Sequence, residues 1–599
     1  MSLASASLTS GISITLSYRL TLLLSYLLQT FHPYPDVIQS YLTMYFYSHK
    51  PSVMKRKYLF GAITGVVLVV GMAFTYQQKE RYFDIIKNLE IFSNMYKEVN
   101  SNYVDEIDPN QLMKVGIDAM LATLDPFTNY FSESQIEGWR FKNEEGEASS
   151  GLKVKKIGLD LVISGIIEDS PAHEAGLKVG DQIKAVNGET TEKRSAEDVM
   201  DIISGIPGSE MNLDVVRPGE TEIKNIKITR GGMDGKNVPY SGMVEPGIGY
   251  ISLTTFTRDA GRNVANALRD LKTESTDLKG VILDLRGNGG GLLREAINVC
   301  NVFIPAEETV VTTRSKVVEA DQEYKTRTEP VDTEIELIVL IDENSASASE
   351  IVSGVMQDLD RGVIIGQLSY GKGLVQNTFD IGYNAKVKLT TSKYYIPSGR
   401  CIQSVEYKNG ERVHIPDDKR AKFKTRAGRT VLDGGGVQPD IPMTTEQRPL
   451  IVKKLMQQDV IFNYVTQYCI GKDSIESLEA FHYKDFASFK TFLDKSDFKF
   501  ETETDDAIKK LKDAASTESY SAEVTNHVDQ LKAIVEKEKA SQVNKYEKEI
   551  LQAIEREILS RYYFETGLVR HQLKNDPELA EAIKVLNNTQ QYTSILQVK

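Results

Sequence analysis

A serine hydroxyl attacks a carbonyl only when a base takes its proton, and the charge it creates needs N–H donors nearby. The stretch Asn344-Ser345-Ala346-Ser347-Ala348-Ser349-Glu350 places three hydroxyls where the apolar run Glu336–Ile341 gives way to the helical spacing of Ile351–Met356. Such a strand-to-helix junction sets a side-chain oxygen and backbone N–H groups at a positive helix terminus. Ser and Asn are also the preferred N-caps, so on this segment alone capping competes with nucleophilic chemistry.

The usual base is histidine, and the seven are His32, His49, His173, His414, His482, His527 and His571. Only His414 falls near the serine cluster's region, in a charged stretch, so a Ser-His-Asp reading has little material. Lys372, pinned between Gly371 and Gly373 after Val363-Ile364-Ile365, sits on a tight backbone feature. A lysine acts as base only when neutral, so burial must pull its pKa down from about 10.4. Tyr370, Leu374 and Val375 are apolar neighbours of the right kind, although a structural lysine would have them too. Upstream, the buried strand Val281–Leu285 runs into Arg286-Gly287-Asn288-Gly289-Gly290-Gly291, a turn able to present bare N–H groups. Three strand ends, each followed by a chemically suggestive loop, fit one site at the edge of one sheet.

In this order, Asp284-Leu285-Arg286-Gly287-Asn288-Gly289-Gly290-Gly291, then Ser345–Glu350, then Tyr370–Gln376, the chain resembles the C-terminal processing (tail-specific) serine peptidases, which use a Ser–Lys dyad. The resemblance runs from about Ile91 to Pro442. It implies Ser347 as nucleophile, Lys372 as general base at the family's spacing, Gln376 orienting that lysine, and the N–H groups of Gly291 and Ala348 as the oxyanion hole. Asp284 and Arg286 then read as a charge pair holding the loop, since the dyad needs no carboxylate. Ser345 and Ser349 read as capping or packing residues, and Glu350 as a macrodipole partner in the helix's first turn.

The elements around these loops alternate. Gly247–Leu253 reads as a strand, Asp259–Leu271 as a helix, Val281 onward as a strand, and Val387–Tyr395 as a strand before the turn Pro397–Arg400. Cys300 falls in an amphipathic helix as core filling. A charged stretch, Glu406–Arg429, precedes Gly434–Ile441, which resembles the family's closing strand.

Residues 148–232 resemble a PDZ domain. Such domains add a peptide as an extra strand and capture its C-terminal carboxylate on backbone N–H groups. Gly151-Leu152-Lys153-Val154 is the implied peptide-binding loop, with Lys153 where a second glycine is common. Ser195–Ile203 is the implied groove helix, and His173 reads as a solvated helix residue. From about Lys79 to Trp139 the spacing is helical, and Asp125-Pro126-Phe127-Thr128 stands where the family usually has Asp-Pro-His-Ser. Beyond Glu446 the chain is helical and Lys/Glu-rich. Tyr562-Tyr563-Phe564 there form an aromatic patch suited to packing or to a partner.

Composition narrows the rest. The chain has 599 residues, 41% of them hydrophobic, and a net charge of −13. That length predicts several domains, and the charge argues against nucleic-acid binding. Cys300, Cys401 and Cys469 lack metal-ligand or redox spacing, and no phosphate or dinucleotide fingerprint appears, so no metal and no cofactor are expected. Tyr58–Tyr76 is uncharged and follows Lys55-Arg56-Lys57, which reads as a signal peptide or, in preference, an uncleaved inner-membrane anchor.

The expected fold class is α/β and α+β multidomain. The expected divisions are an N-terminal extension of unassigned role (1–53), a signal or membrane anchor (54–78), a small helical region (79–147), a PDZ domain (148–232), an α/β serine peptidase core (233–445) and a helical C-terminal region (446–599). The expected function is a serine endopeptidase of the bacterial cell envelope, anchored with its catalytic part in the periplasm. It would act on protein substrates with accessible C-termini, with homo-oligomer or adaptor contacts through the C-terminal helices. The rival reading is a non-catalytic PDZ or peptide-binding scaffold of the envelope.

Overall fold

The computed structural model describes residues 82–132, 148–192, 194–205, 208–232, 237–403, 405–408, 411–414, 416–444, 448–496 and 498–597. The expected extension at 1–53 and anchor at 54–78 lie outside them. No helix among the described residues is long and apolar enough to cross a membrane. Two units are distinguished, residues 1–112 and 113–599. In the first, a helix spans 82–102 and the Tyr96 hydroxyl donates to Pro109 O at 2.7 Å.

The second unit is built around a six-stranded sheet. Its order is Tyr240–Glu245, Ile248–Ser252, Gly280–Asp284, Glu336–Ile341, Val363–Gly366 and Ile441–Pro442, all parallel except the first pair. The central strands are apolar on both faces, as a sheet covered on both sides requires. Alternate residues go to opposite cores. Val281, Leu283, Leu337 and Val339 pack under the helices Ala260–Glu274, Leu293–Phe303 and Ala348–Asp358. Ile282, Ile338 and Leu340 face the other way, onto Leu579, Ala582, Val585 and Leu586. That second layer is the helix Pro577–Leu586, near the far end of the chain.

A second sheet stands beside the first. Its long strand Ala385–Tyr395 pairs with Leu374–Gly382 on one side, and with Asn129–Phe131 and Thr309–Ser315 on the other. Within the region of helical spacing from about 79 to 139, Asn129–Phe131 is instead a strand. Three residues of that region extend because they complete a sheet edge. The charged stretch 406–429 is likewise threaded with short strands, among them Lys422–Lys424 paired to Thr430–Leu432.

Residues 148–232 form an antiparallel sheet in the order Leu152–Ile157, Asp160–Ile166, Gln182–Val186, Glu210–Val216 and Ile223–Thr229. The helix Ala196–Ile203 is capped by Ser195, whose N–H bonds Asp198 while its hydroxyl accepts from the Asp198 N–H. This module is tied to the C-terminal helices. Lys155 pairs with Asp459 at 2.5 Å, and its Nζ lies 3.5 Å from the Phe462 ring centroid. Thr566 Oγ1 donates to Glu168 at 2.9 Å. His173 is therefore not simply solvated: its Nδ1 accepts from the Asp169 N–H, and its ring meets Phe564 edge-on at 4.6 Å. Tyr562 and Tyr563 are turned inward to the carbonyls of Lys472 and Glu476. The aromatic patch packs.

Candidate active site

The register pairs Asp284–Leu340 and Ile341–Gly366 bring the three central strands to a common edge, where their outgoing loops meet. The middle loop ends at Ser347, the N-cap of Ala348–Asp358, with φ 55 and ψ −110. This is the conformation of the first central residue of a type II′ turn, usually given to glycine. Strain of this kind persists only where the surroundings impose it. Here the Ser347 N–H donates to Glu350 Oε2 at 2.8 Å, while its carbonyl accepts from the N–H groups of Glu350 and Ile351, both at 2.9 Å.

The three serines have different surroundings. Ser345 and Ser349 are buried, their hydroxyls donating to Leu285 O and Asn288 O, both at 2.8 Å. Ser347 is the half-buried one.

Lys372 is held by its neighbours' backbone. The Gly373 N–H donates to Gln403 Oε1 at 2.7 Å, and a Cβ on Gly373 would come within 2.7 Å of Gln403 N. The Lys372 amine is half-buried. Burial and the positive charge of Lys388 pull its pKa below the ordinary lysine value, against the opposing charges of Glu350 and Asp125. Its Nζ lies 4.4 Å from the Phe127 ring centroid. Gln376 Nε2 donates to Thr390 Oγ1 at 3.2 Å. Among the described residues no hydrogen bond joins the Lys372 amine to Ser347 or to Gln376, so the expected contact between Gln376 and Lys372 is not made in this conformation. Gln376 follows a bulge at Val375 and is turned across to the neighbouring strand.

The glycine turn lies against the serine loop. A Cβ on Gly290 would fall 2.7 Å from Ala346 O, 2.8 Å from Ser347 Cβ and 2.9 Å from Ala348 N. Phe256 bridges the turn, its N–H donating to Gly290 O at 3.0 Å and its carbonyl accepting from Leu292 N at 2.8 Å. Gly291, between these two bonded residues, has φ 148, and a Cβ there would fall 2.5 Å from Phe256 O. Asn288, fully buried, braces the turn: Nδ2 donates to Leu253 O at 2.8 Å, and Oδ1 accepts from Gly290 N at 2.9 Å.

Glu350 does more than face a helix dipole. It is fully buried and accepts from Ser369 Oγ at 2.5 Å, Gly371 N at 2.6 Å and Lys372 N at 2.8 Å, besides Ser347 N. Burial pushes its carboxyl upward in pKa, and the donated hydrogen bonds oppose this. Ser369 Oγ itself accepts from Val437 N, so every neighbour is a donor and the carboxylate form fits the site. A carboxylate in the first turn is ordinary in sequence. Only the fold shows that four donors from two loops converge on it. Arg286 pairs with Asp284 at 2.5 Å and reaches Asp576 and Glu578, both at 2.6 Å, in the C-terminal region.

In the smaller module, the strand Leu152–Ile157 is an edge strand flanked by the helix Ala196–Ile203. Gly151 has φ 82, and its carbonyl accepts from the Ile167 N–H at 2.9 Å. Leu152 is buried, Val154 half-buried, and Lys153 exposed with its stem over Gly165. Among the described residues no group of acidic, histidine or cysteine side chains has a metal-binding arrangement.

Comparison with known proteins agrees with this architecture. Residues 247–413 match "Peptidase family S41", residues 162–217 match "PDZ domain", and residues 451–586 match "Probable PDZ-protease, C-terminal helical domain". The chain is 33% identical over 359 residues to the carboxy-terminal-processing protease of Bartonella bacilliformis, covering 59% of this chain and 81% of that one. It is 30% identical over 357 residues to a Staphylococcus aureus protein named "Probable CtpA-like serine protease", covering 59% of this chain and 71% of that one. Among solved structures, the photosystem II D1 C-terminal processing protease aligns with 25% identity and a TM-score of 0.33 over 60% of this chain and 94% of that chain. The three family models and the two relatives define a serine protease that carries a PDZ domain and a helical C-terminal domain. The chain belongs to the carboxy-terminal-processing protease family.

Proposed function

We propose that the chain is an endopeptidase that hydrolyses protein tails through a Ser347–Lys372 dyad. The observation that carries this reading is the pairing of a half-buried serine in a strained turn with a lysine of depressed pKa on the adjoining loop, the two joined by Glu350. Ser347 Oγ attacks the scissile carbonyl while neutral Lys372 takes its proton. The oxyanion is received by the N–H groups of Gly291 and Ala348. Lys372 then protonates the leaving amine, and a water activated by the same amine releases the acyl group.

The Lys372 amine swings from Phe127 toward Ser347 for the reaction, and Gln376 turns from Thr390 to receive it. Lysine rotamers interchange readily, so the move needs no change of fold. The edge strand at Gly151–Val154 takes the substrate's C-terminal tail as an added strand. The division into anchor, helical region, PDZ module, peptidase core and helical region is part of this proposal. So is an envelope location, with the anchor in the inner membrane and the catalytic part outside it.

The chain from about Lys79, with its Ser347→Ala and Lys372→Ala forms, is incubated with an unstructured protein ending in apolar residues, and fragments are read by mass spectrometry. Cleavage by the parent alone is expected. Equal cleavage by all three removes the dyad. Binding without cleavage by any of them favours the scaffold reading.

A further inference from the structure

Four main-chain groups fix where the proposed nucleophile and base stand: the N–H and C=O of Ser347 and of Lys372. Two buried side chains hold all four. Glu350 takes both N–H groups, each at 2.8 Å. The hydroxyl of Tyr394 meets both carbonyls, Ser347 O at 3.2 Å and Lys372 O in a closer contact. Tyr394 is 1% exposed and Glu350 0%.

We propose that Tyr394 is a positioning residue for peptide hydrolysis, its one hydroxyl setting the distance between the Ser347 and Lys372 backbones. This rests on the dyad reading. A phenol has a single proton, so the two carbonyls share it, and drift of either loop breaks the arrangement. The Ser347 carbonyl also has helical donors, but among the described residues the Lys372 carbonyl has Tyr394 alone. The Tyr394 N–H donates to Gly373 O at 3.0 Å, so the strand carrying the phenol is latched to the lysine loop as well.

A second effect follows from peptide planarity. The Ser347 carbonyl and the Ala348 N–H belong to one rigid unit. A hydrogen bond that orients the carbonyl therefore aims the N–H proposed for the oxyanion. Burial raises the Tyr394 pKa well above its ordinary value, which keeps the phenol a donor across the working range.

Tyr394→Phe keeps the ring and removes only the hydroxyl. The comparison set is the full chain, Ser347→Ala, Tyr394→Phe and Tyr395→Phe, the last altering a neighbouring ring 4.3 Å from the Arg314 guanidinium carbon. Active sites are counted by labelling with a fluorophosphonate, and a fluorogenic peptide ending in apolar residues gives kcat per labelled site and KM. For Tyr394→Phe, kcat per site is expected to fall by about tenfold to a hundredfold, the scale of a small misplacement of catalytic groups, with KM nearly unchanged. Tyr395→Phe is expected to match the parent.

An unchanged kcat per site overturns the proposal, including when fewer sites label because some chains misfold. A rise in KM alone overturns it too, by making Tyr394 a substrate contact. If Ser347→Ala cleaves as well as the parent, the dyad itself fails and the proposal with it. If Ser347→Ala is inactive and Tyr394→Phe keeps the parent's kcat per site, only the positioning role is lost.

Discussion

The amine of Lys372 rests against the face of Phe127, its Nζ 4.4 Å from the ring centroid. The ring is well anchored. The Phe127 N–H donates to Asp125 Oδ1 at 2.8 Å, and the next residues, Asn129–Phe131, pair with the strand Ala385–Tyr395. The segment that resembles the family's Asp-Pro-His-Ser thus covers the proposed base. A ring face favours an ammonium, whereas burial disfavours it, so one residue pulls the lysine both ways.

Phe127→Leu separates the two effects, because leucine keeps apolar cover and removes the ring face. A cation–π contact contributes about 0.5–1 kcal/mol to the charged form, and about 1.4 kcal/mol corresponds to one pKa unit. The neutral amine is the reactive form, so kcat/KM rises with pH through the Lys372 pKa. Loss of the ring lowers that pKa, and the acid limb of the kcat/KM profile should move down by about half a unit. A limb that stays in place shows that the ring contact does not persist in the working enzyme.

Lys388→Met should do the opposite. The positive charge of Lys388 helps to hold the Lys372 pKa down. Its removal leaves burial as the main depressing cause, so the pKa rises and the acid limb moves to higher pH. At neutral pH the variant is slower than the parent, and at high pH it recovers. A uniform loss at every pH would instead place Lys388 in substrate binding.

Gly290→Ala should abolish most activity while sparing the fold. Gly290 has φ 101, and its Cβ would press on Ala346 O, Ser347 Cβ and Ala348 N together. The turn can yield only by moving away from the serine loop, which separates the proposed oxyanion donors Gly291 and Ala348. A fall of about a hundredfold in kcat, with a small drop in melting temperature, is the expected result. Near-parental kcat would mean that the turn is not part of the oxyanion hole.

The strand ends and their loops were legible in the sequence because a doubly covered parallel sheet writes itself as apolar runs broken by glycine and serine. Glu336–Ile341 was expected as a strand and forms one over those same residues. Asn129–Phe131 was not legible, since three residues carry no periodicity and extend only because Ala385–Tyr395 offers an edge. Glu350, Asn288 and Tyr394 escaped for a related reason. Each acts on loops distant in sequence, and no local pattern tells a clamp from a cap, a turn residue or a strand aromatic. His173 looked solvated because its partner, Phe564, lies in another domain.

The C-terminal helical region packs on the peptidase core and closes one face of its sheet. Leu579 and Leu586 are 3% and 2% exposed, packed in the cluster that holds Ile282, Ile338 and Leu340. Gly280 admits this layer: a Cβ there would lie 2.7 Å from Leu586 Cδ2. Leu586→Ala should therefore cost about 2–4 kcal/mol, as for other leucines buried in a packed core. Glu578→Gln should cost less, because Arg286 keeps Asp284 and Asp576 as partners. Calorimetry on both variants, with kcat per labelled site measured well below the melting temperature, separates stability from chemistry. A lowered melting temperature with parental kcat supports a structural layer. An unchanged melting temperature for Leu586→Ala would show that the sheet is stable without that contact.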